Sequence, residues 1–162
     1  MRDAGLDYYW QDAYASNLCA RGFEYDPSVK YEALTTFEVF EHLVNPIAEI
    51  NKMFALSDTI IFSTELIAAD APNKNDWWYY GFAHGQHIAF YSKKSLQFIA
   101  KKYGAELYTD GRGFHVLTKR KFSFFYLTLK MSKLGLSNIL RRGLTSKHHS
   151  DHLMLSEKDH SE

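Results

Sequence analysis

The chain has 162 residues, with 19 Lys and Arg and 19 Asp and Glu, so its formal net charge at pH 7 is zero. This length suits a single domain, and the balanced charge excludes a general electrostatic attraction to nucleic acid or to an anionic membrane. Hydrophobic residues make up 46% and charged residues 23% of the chain, which is typical of a soluble globular protein and excludes wholesale disorder.

The sequence also predicts the compartment. No apolar run approaches the roughly 20 residues that span a bilayer, and the N-terminus lacks the layout of a signal peptide. Cys19 is the only cysteine, so no intramolecular disulfide can form. We therefore expect a cytoplasmic protein without a transmembrane segment.

The N-terminal part of the chain alternates apolar runs with a helix-like segment. Residues 6–11 form a short β-prone run that ends at Asp12, and residues 13–21 have the pattern of a short helix that Gly22 closes. Residues 31–40 are rich in β-formers, and their apolar content suits a buried parallel strand.

The central region predicts a helix, a strand and a long aromatic loop. Asn45 is a capping residue, and Pro46 is favoured at the first helical position. Residues 58–63 are typical of the next buried strand. Residues 64–91 show no clear periodicity but contain many aromatic side chains, which favours a functional loop over a disordered one.

The last predicted elements are a helix and a hairpin. Ser92 or Ser95 can cap a helix that runs to about Tyr103. Residues 105–109 and 114–118 flank a glycine-containing turn and predict an antiparallel hairpin. This order of elements implies an α/β domain, which binds ligands at the carboxyl ends of its strands.

The C-terminal region is predicted to lie outside the main domain of residues 1–120. Residues 121–144 mix basic and aromatic side chains and predict a helical extension. That helix could pack on the sheet with a solvated basic face, or touch a membrane or an anionic partner. Residues 145–162 are polar and rich in histidine, and they predict a disordered tail.

Asp12 is the first candidate site residue, because it ends a predicted strand. A carboxylate at this place in a nucleotide-binding α/β fold can accept both hydroxyl hydrogens of a ribose. The alternative is that Asp12 caps the helix predicted at residues 13–21.

The most specific pattern is the segment FEVFEH, residues 37–42, at the end of a predicted strand. Glu38, Glu41 and His42 bring two carboxylates and an imidazole together, a ligand set that suits Mg²⁺, Mn²⁺, Fe²⁺ or Zn²⁺. His87 could complete this set from the downstream HGQH segment, residues 84–87. The alternative is that both glutamates are solvated and His42 only binds a backbone carbonyl.

The segment YEALTTFEVFEHLVNPIAEINKMFALSDTIIFST, residues 31–64, resembles the middle of a class I S-adenosylmethionine-dependent methyltransferase. The family pattern there is a strand ending in E-V-x-E-H-L, a helix opened by proline, and a strand ending in Ser or Thr. Asp12 falls where the family places its ribose-binding acid, and the predicted hairpin matches the antiparallel pair that closes its sheet. The resemblance covers roughly residues 1–120 and implies a Rossmann-like methyltransferase sheet.

The resemblance implies a cofactor and site residues. Asp12, Phe37 and Glu38 would bind S-adenosylmethionine, and His42 and Glu41 would be catalytic. Two branches of the family use E-x-x-E-H as metal ligands, which implies a divalent ion such as Mg²⁺ on Glu38, Glu41, His42 and His87. The ion would lower the pKa of an acceptor hydroxyl.

The acceptor is expected to be a small molecule, with no role for nucleic acid. Its binding wall would come from the aromatic loop, where rings can stack on a flat acceptor and exclude water. The residues of this predicted wall are Trp77, Trp78, Tyr80 and His84. The alternative is a lid that packs on the core without touching substrate.

One departure from the family pattern concerns the cofactor. No glycine-rich G-x-G-x-G loop precedes Asp12, and residues 1–5 resemble the end of the helix that follows that loop. We therefore expect a fragment whose sheet is incomplete at its N-terminus and whose cofactor binding is impaired. The expected activity is methyl transfer to an oxygen, less readily to carbon or nitrogen; the alternative is a catalytically inactive, methyltransferase-like binding module.

Overall fold

A four-stranded mixed sheet organises the middle of the chain in the computed structural model. Its strands are β1 (Leu34–Phe37), β2 (Thr59–Ser63), β3 (Glu106–Thr109) and β4 (Phe114–Thr118), in the order β1-β2-β4-β3. β1 and β2 are parallel, whereas β4 runs antiparallel to both of its neighbours, β2 and β3. The predicted α/β class and the closing antiparallel hairpin are thereby confirmed, with β1 at one edge of the sheet.

The structure describes residues 1–12, 14–18, 20–68, 70, 73, 75–82, 85, 87–121 and 143–159. The helical extension predicted for residues 121–144 lies almost wholly outside these ranges. Among the described residues, no helix combines the length and the apolar character that crossing a membrane requires.

Two helices cover one face of the sheet, and both begin and end where local sequence signals place them. In α1 (Pro46–Leu56), the Asn45 side chain accepts a hydrogen bond from the Ala48 N–H at 3.2 Å. In α2 (Lys93–Tyr103), Ser92 forms a capping box, and Gly104 ends the helix with a left-handed φ of 62°. The helices and the sheet share a buried core that includes Ile50, Phe54, Ile60, Phe62, Leu96, Ile99 and Leu117.

Two compact units make up the chain: Ser28–Lys121, and Met1–Pro27 together with Phe122–Glu162. In the second of these units, Arg2 donates two hydrogen bonds of 2.7 Å to the Asp151 carboxylate. Its guanidinium also lies 3.7 Å from the centre of the Phe23 ring. Asp151 belongs to a helix, α3 (His148–Asp159), within the range where the sequence predicted a disordered tail.

The elements predicted before residue 28 do not form as expected. Residues 6–11 contribute only one isolated bridge, between Trp10 and Glu24. The described residues between 14 and 21 contain no helix. Asn17 explains this, because its side chain bonds both the N–H and the carbonyl of Ala20 and so competes with helical hydrogen bonding.

The strand predicted for residues 31–40 is shorter than expected. Glu38 ends β1 because it adopts a positive φ of 52°, the only such value at a non-glycine residue in the described part of the chain. A 3-10 helix, Phe40–His42, follows at once. This sharp change of direction carries the rest of the FEVFEH segment away from the strand.

His115 is a buried, neutral connection between β4 and the residues after β2. Its Nε2 lies 2.9 Å from the Thr64 carbonyl, and its Nδ1 lies 2.8 Å from the Thr109 hydroxyl. A carbonyl can only accept, so Nε2 carries the hydrogen and Nδ1 accepts from the hydroxyl. Burial lowers the pKa of His115, although Asp110 and Glu65 act in the opposite direction.

This arrangement predicts that the fold loses stability in mild acid. The pKa of His115 is lower in the folded chain than its ordinary value of about 6.5, so the unfolded chain takes up a proton first as the pH falls. We expect the melting temperature to fall as the pH is lowered below about 6.5, and to fall less steeply in His115→Gln. Melting curves from pH 8 to pH 5 measure this; equal slopes in both proteins would contradict it.

Candidate active site

The candidate site is built where β1 ends and the chain turns. Glu38 directs the chain out of the sheet, and the 3-10 helix that follows turns Phe40 and Glu41 inward. Phe40 is fully buried and stacks on Phe62, with ring centroids 4.1 Å apart. This packing fixes the turn, so the orientation of the neighbouring Glu41 is set by the core.

Glu41 is the most unusual side chain of the site. It has 0% exposure, and neither carboxylate oxygen has a hydrogen-bond partner among the residues that the structure describes. A buried carboxylate without a partner costs several kcal/mol or more, and native proteins compensate such groups with a hydrogen bond, an opposite charge or a metal ion. Glu41 therefore lacks a compensating hydrogen bond among the described residues, and it is suited to interact with a cation or a proton donor beside it.

Two imidazoles lie beside this carboxylate. One possible ligand atom from each of Glu41, His42 and His87 lies within 4.8 Å of the others, and no other such group of three occurs in the described part of the chain. His42 Nε2 is 4.0 Å from Glu41 Oε1, and the two imidazole rings are 5.0 Å apart between centroids. The His42 side chain is 37% exposed, so the group is open to solvent on one side.

Main-chain hydrogen bonds hold the His87 segment against Glu41. The Glu41 carbonyl accepts from the N–H groups of Ile88 at 2.9 Å and Ala89 at 3.0 Å. The His87 ring is fixed separately, because its Nδ1 lies 2.6 Å from the Tyr79 carbonyl. Since the carbonyl can only accept, Nδ1 carries the hydrogen and Nε2 remains the nitrogen that can bind a proton or a metal ion.

Two tyrosines close the buried side of the site. Burial raises the pKa of the Tyr79 hydroxyl to about 12, and the charge of Glu41 adds to the shift. Burial likewise raises the pKa of Tyr91 to about 12, again with a contribution from Glu41. Both hydroxyls are therefore neutral at pH 7 and add no second negative charge beside the carboxylate.

The structure separates Glu38 from the other predicted metal ligands. Glu38 is exposed and lies outside the group of Glu41, His42 and His87. Its Oε1 accepts a hydrogen bond of 2.6 Å from the Ser63 hydroxyl, and its N–H donates to the same hydroxyl oxygen at 2.9 Å. Glu38 thus links the carboxyl ends of β1 and β2.

The same sheet edge presents exposed aromatic surface. Phe37 is 46% exposed and Phe114 is 36% exposed, and their rings stack with centroids 6.5 Å apart. Phe37 and Ser63 are aligned at the carboxyl ends of the two parallel strands. This is the edge at which an open α/β sheet binds its ligand.

The predicted aromatic wall divides into packed and exposed rings. Trp77 contacts the rings of Tyr79, Tyr80 and Phe90, with centroid distances between 4.9 and 5.7 Å. Trp78 is 76% exposed, although it lies in the same 3-10 helix as Tyr79 and Tyr80. His84, the fourth predicted wall residue, lies outside the described residues.

Asp12 belongs to the unit that contains the N-terminus and shows the capping contact that was its alternative interpretation. Its Oδ1 accepts from the N–H groups of Tyr14 at 2.8 Å and Ala15 at 3.2 Å. No helix follows in the described residues, so the carboxylate stabilises a local turn.

Tyr79 and Thr64 are two further participants: the sequence did not single out Tyr79, whereas Thr64 stands at one of the predicted strand ends where a site was expected. Both are buried, and the Tyr79 hydroxyl lies 3.3 Å from the Thr64 hydroxyl. Tyr79 stood in a dense run of aromatic residues, with no pattern to distinguish it from its neighbours. Thr64 had one available signal, its position directly after a predicted parallel strand.

The fold and the site define an α/β protein with a Rossmann-like sheet and a polar centre at the end of a parallel strand. A family model described as a methyltransferase domain matches residues 1–109, which is more than half of the chain. The chain belongs to this methyltransferase family. The predicted assignment to the class I S-adenosylmethionine-dependent methyltransferases is thereby confirmed. Searches of curated proteins and of solved structures find no significant match.

The burial of Glu41 predicts an unusual effect of removing its charge. In the presence of a chelator, Glu41→Met should melt at the same temperature as the original chain or higher, because an uncompensated buried charge is replaced by an apolar side chain of similar length. Calorimetry or circular dichroism measures this. A melting temperature several degrees lower would show that the carboxylate has a stabilising partner in the fold.

Proposed function

We propose that the chain transfers a methyl group from S-adenosylmethionine to a hydroxyl oxygen of a small molecule, and that Glu41, His42 and His87 form the centre that removes the hydroxyl proton. The proposal is supported above all by the buried, unpartnered carboxylate of Glu41 beside two imidazoles. Methyl transfer is an in-line displacement at a sulfonium, so the protein contributes alignment and electrostatics.

The three side chains suit a divalent cation. One carboxylate and two imidazoles are a common ligand set for Zn²⁺, Mn²⁺ or Fe²⁺, and a cation would compensate the buried charge of Glu41. The Nδ1–H of His87 bonds a carbonyl, which is the usual support of an imidazole that binds metal through Nε2. When bound, the ion would supply Lewis acidity that lowers the pKa of an acceptor hydroxyl.

The same side chains define a proton acceptor in their own right. His42 is partly exposed, and its Nε2 lies 4.0 Å from Glu41 Oε1, so a carboxylate stands directly beside this imidazole nitrogen. A hydroxyl that approaches from solvent meets His42 before it meets the buried Glu41. His42 is thus suited to take up the proton as the oxygen attacks the methyl group.

The cofactor is proposed to bind at the carboxyl edge of β1 and β2. Phe37 offers an exposed ring face, and Glu38 offers an exposed carboxylate that can bind a hydroxyl or an ammonium group. Asp12 is proposed as the ribose-binding acid, in agreement with the family pattern.

The acceptor is proposed to contact Trp78 rather than the packed rings around it. Trp77 and Tyr80 are occupied by contacts with one another and with Phe90. Trp78 contacts the ring of Tyr79, which in turn packs on His87, so an aromatic body on Trp78 would lie near the polar centre. In this proposal Trp77 and Tyr80 have a structural role, because their packing stabilises the segment that carries Trp78.

Two glutamates of one motif give a matched test of the proton-removing centre. We expect Glu41→Gln to weaken Mn²⁺ binding at least about tenfold, and Glu38→Gln to change it less than about threefold, because only Glu41 lies beside both imidazoles. Calorimetric titration with Mn²⁺ measures this. Equal losses in both variants, or none in Glu41→Gln, would contradict the three-residue centre.

Two variants of the centre, Glu41→Gln and His42→Gln, test the activity. Transfer of a labelled methyl group from S-adenosylmethionine to a phenol, a hydroxy acid and a hexose is measured with Mn²⁺ and with chelator. Transfer that requires Mn²⁺ and is lost in Glu41→Gln supports the metal centre, and transfer that persists in chelator but fails in His42→Gln supports the imidazole alone. Cofactor binding without transfer to any acceptor favours the non-catalytic binding module.

The two adjacent tryptophans give a matched test of the acceptor wall. With 2-naphthol as the probe, we expect Trp78→Ala to weaken binding about tenfold at an unchanged melting temperature, since an exposed stacking ring is removed. Trp77→Ala should lower the melting temperature because it removes ring packing. Saturation-transfer NMR, with cyclohexanol as the non-aromatic control, measures binding; naphthol affinity unchanged in Trp78→Ala would contradict the assignment.

A further inference from the structure

We infer that Tyr79 is the positioning residue of the site: it selects the tautomer of His87 and links that imidazole to the end of β2. The inference deepens the proposed function and rests on it only for the metal-binding readout. It depends on two contacts of Tyr79, made by its carbonyl and its ring, and a third contact, made by its hydroxyl, connects the arrangement to the sheet.

The carbonyl contact determines which nitrogen of His87 is available. At 2.6 Å from the Tyr79 oxygen, Nδ1 must carry the hydrogen, so Nε2 has the lone pair. A neutral imidazole in water favours neither nitrogen strongly enough to guarantee this state, and a fixed acceptor on one side removes the choice. Tyr79 therefore prepares His87 as a base or ligand through Nε2.

The ring contact determines where the imidazole points. The rings of Tyr79 and His87 have centroids 4.4 Å apart and an interplanar angle of 56°. The imidazole of His87 also meets that of His42, at a centroid distance of 5.0 Å. His87 thus contacts both an anchored tyrosine and its partner in the polar centre, and these two ring contacts restrict its rotation.

The hydroxyl contact connects this arrangement to the sheet. Tyr79 is 1% exposed, and its hydroxyl lies 3.3 Å from the hydroxyl of Thr64, which directly follows β2. The Thr64 carbonyl accepts from the buried His115, and the Thr64 N–H donates to the Gly113 carbonyl. Thr64 is consequently held in place by the β4 side of the sheet, and it provides Tyr79 with a rigid support.

The backbone around Tyr79 is also fixed. The 3-10 helix Trp78–Tyr80 ends at Gly81, whose φ of 60° permits a tight reversal that side-chain-bearing residues rarely adopt. The segment after His87 is bonded to the Glu41 carbonyl. Tyr79 and His87 are therefore each adjacent to a fixed part of the backbone, which keeps the Tyr79 carbonyl and the His87 imidazole together.

The first test needs no metal. In ¹⁵N-labelled protein treated with chelator, the ring nitrogens of His87 report its tautomer by NMR. We expect the Nδ1–H form in the original chain and in Tyr79→Phe, which keeps the ring and the carbonyl. Tyr79→Leu keeps the carbonyl but loses the ring contact that holds the imidazole against it, so we expect a shift toward the Nε2–H form. An Nε2–H imidazole in the original chain, or no change in Tyr79→Leu, would overturn the inference.

The second test uses Co²⁺ affinity, with Tyr103→Leu as the matched control. Tyr103 is another tyrosine with an anchored hydroxyl, which donates to the Ile47 carbonyl, but its ring packs on Phe54 in the core between the helices. We expect Tyr79→Leu to weaken Co²⁺ binding about tenfold or more and to change the visible spectrum of the bound ion. Tyr103→Leu should lower the melting temperature without either effect, and Tyr79→Phe should retain most of the affinity.

The outcomes separate the two proposals. If the original chain binds no Co²⁺ but shows the expected tautomer, the metal centre fails and the positioning role of Tyr79 stands. If Co²⁺ binds and Tyr79→Leu and Tyr103→Leu weaken it equally, the effect arises from lost stability and the positioning role fails.

Discussion

One uncompensated charge governs the site: the carboxylate of Glu41, with 0% exposure and no hydrogen-bond partner in the described part of the chain. Such a group lowers the stability of a fold unless a cation or a protonated base faces it. Among the histidine, cysteine and acidic side chains that the structure describes, the imidazoles of His42 and His87 are the ones grouped with it, and the neutral hydroxyls of Tyr79 and Tyr91 lie on its buried side. The proposed chemistry, in which this centre attracts a cation or a proton, follows from that imbalance.

The surrounding fold keeps the charge in place. Glu38 uses a strained left-handed conformation to end β1, and the hydroxyl of Ser63 supports it with two hydrogen bonds. The turn that follows is fixed by the stacking of Phe40 on Phe62. In this way Glu38 serves the site by shaping the backbone and by lining the proposed cofactor edge, while Glu41 carries the chemistry.

The sequence predicted those elements whose signals act over a few neighbouring residues, and it did not predict features that depend on distant parts of the fold. The helices after Asn45 and Ser92 and the closing hairpin were predictable because caps, glycine stops and turn residues act within a few positions. The strand predicted for residues 6–11 was wrong because a β-prone run becomes a strand only when a suitable neighbouring strand pairs with it. At the site, the residue types of Glu41, His42 and His87 were visible in the sequence. The exclusion of Glu38 and the role of Tyr79 depended on burial and backbone direction, which the motif spacing does not contain.

The most direct test of the central claim is to locate a cation in crystals of this chain soaked in Mn²⁺, by anomalous scattering. The account predicts one strong peak within bonding distance of a Glu41 carboxylate oxygen and of an imidazole nitrogen of both His42 and His87. A peak on Glu38 instead, or ordered crystals with Glu41 buried and no peak beside it, would contradict the account.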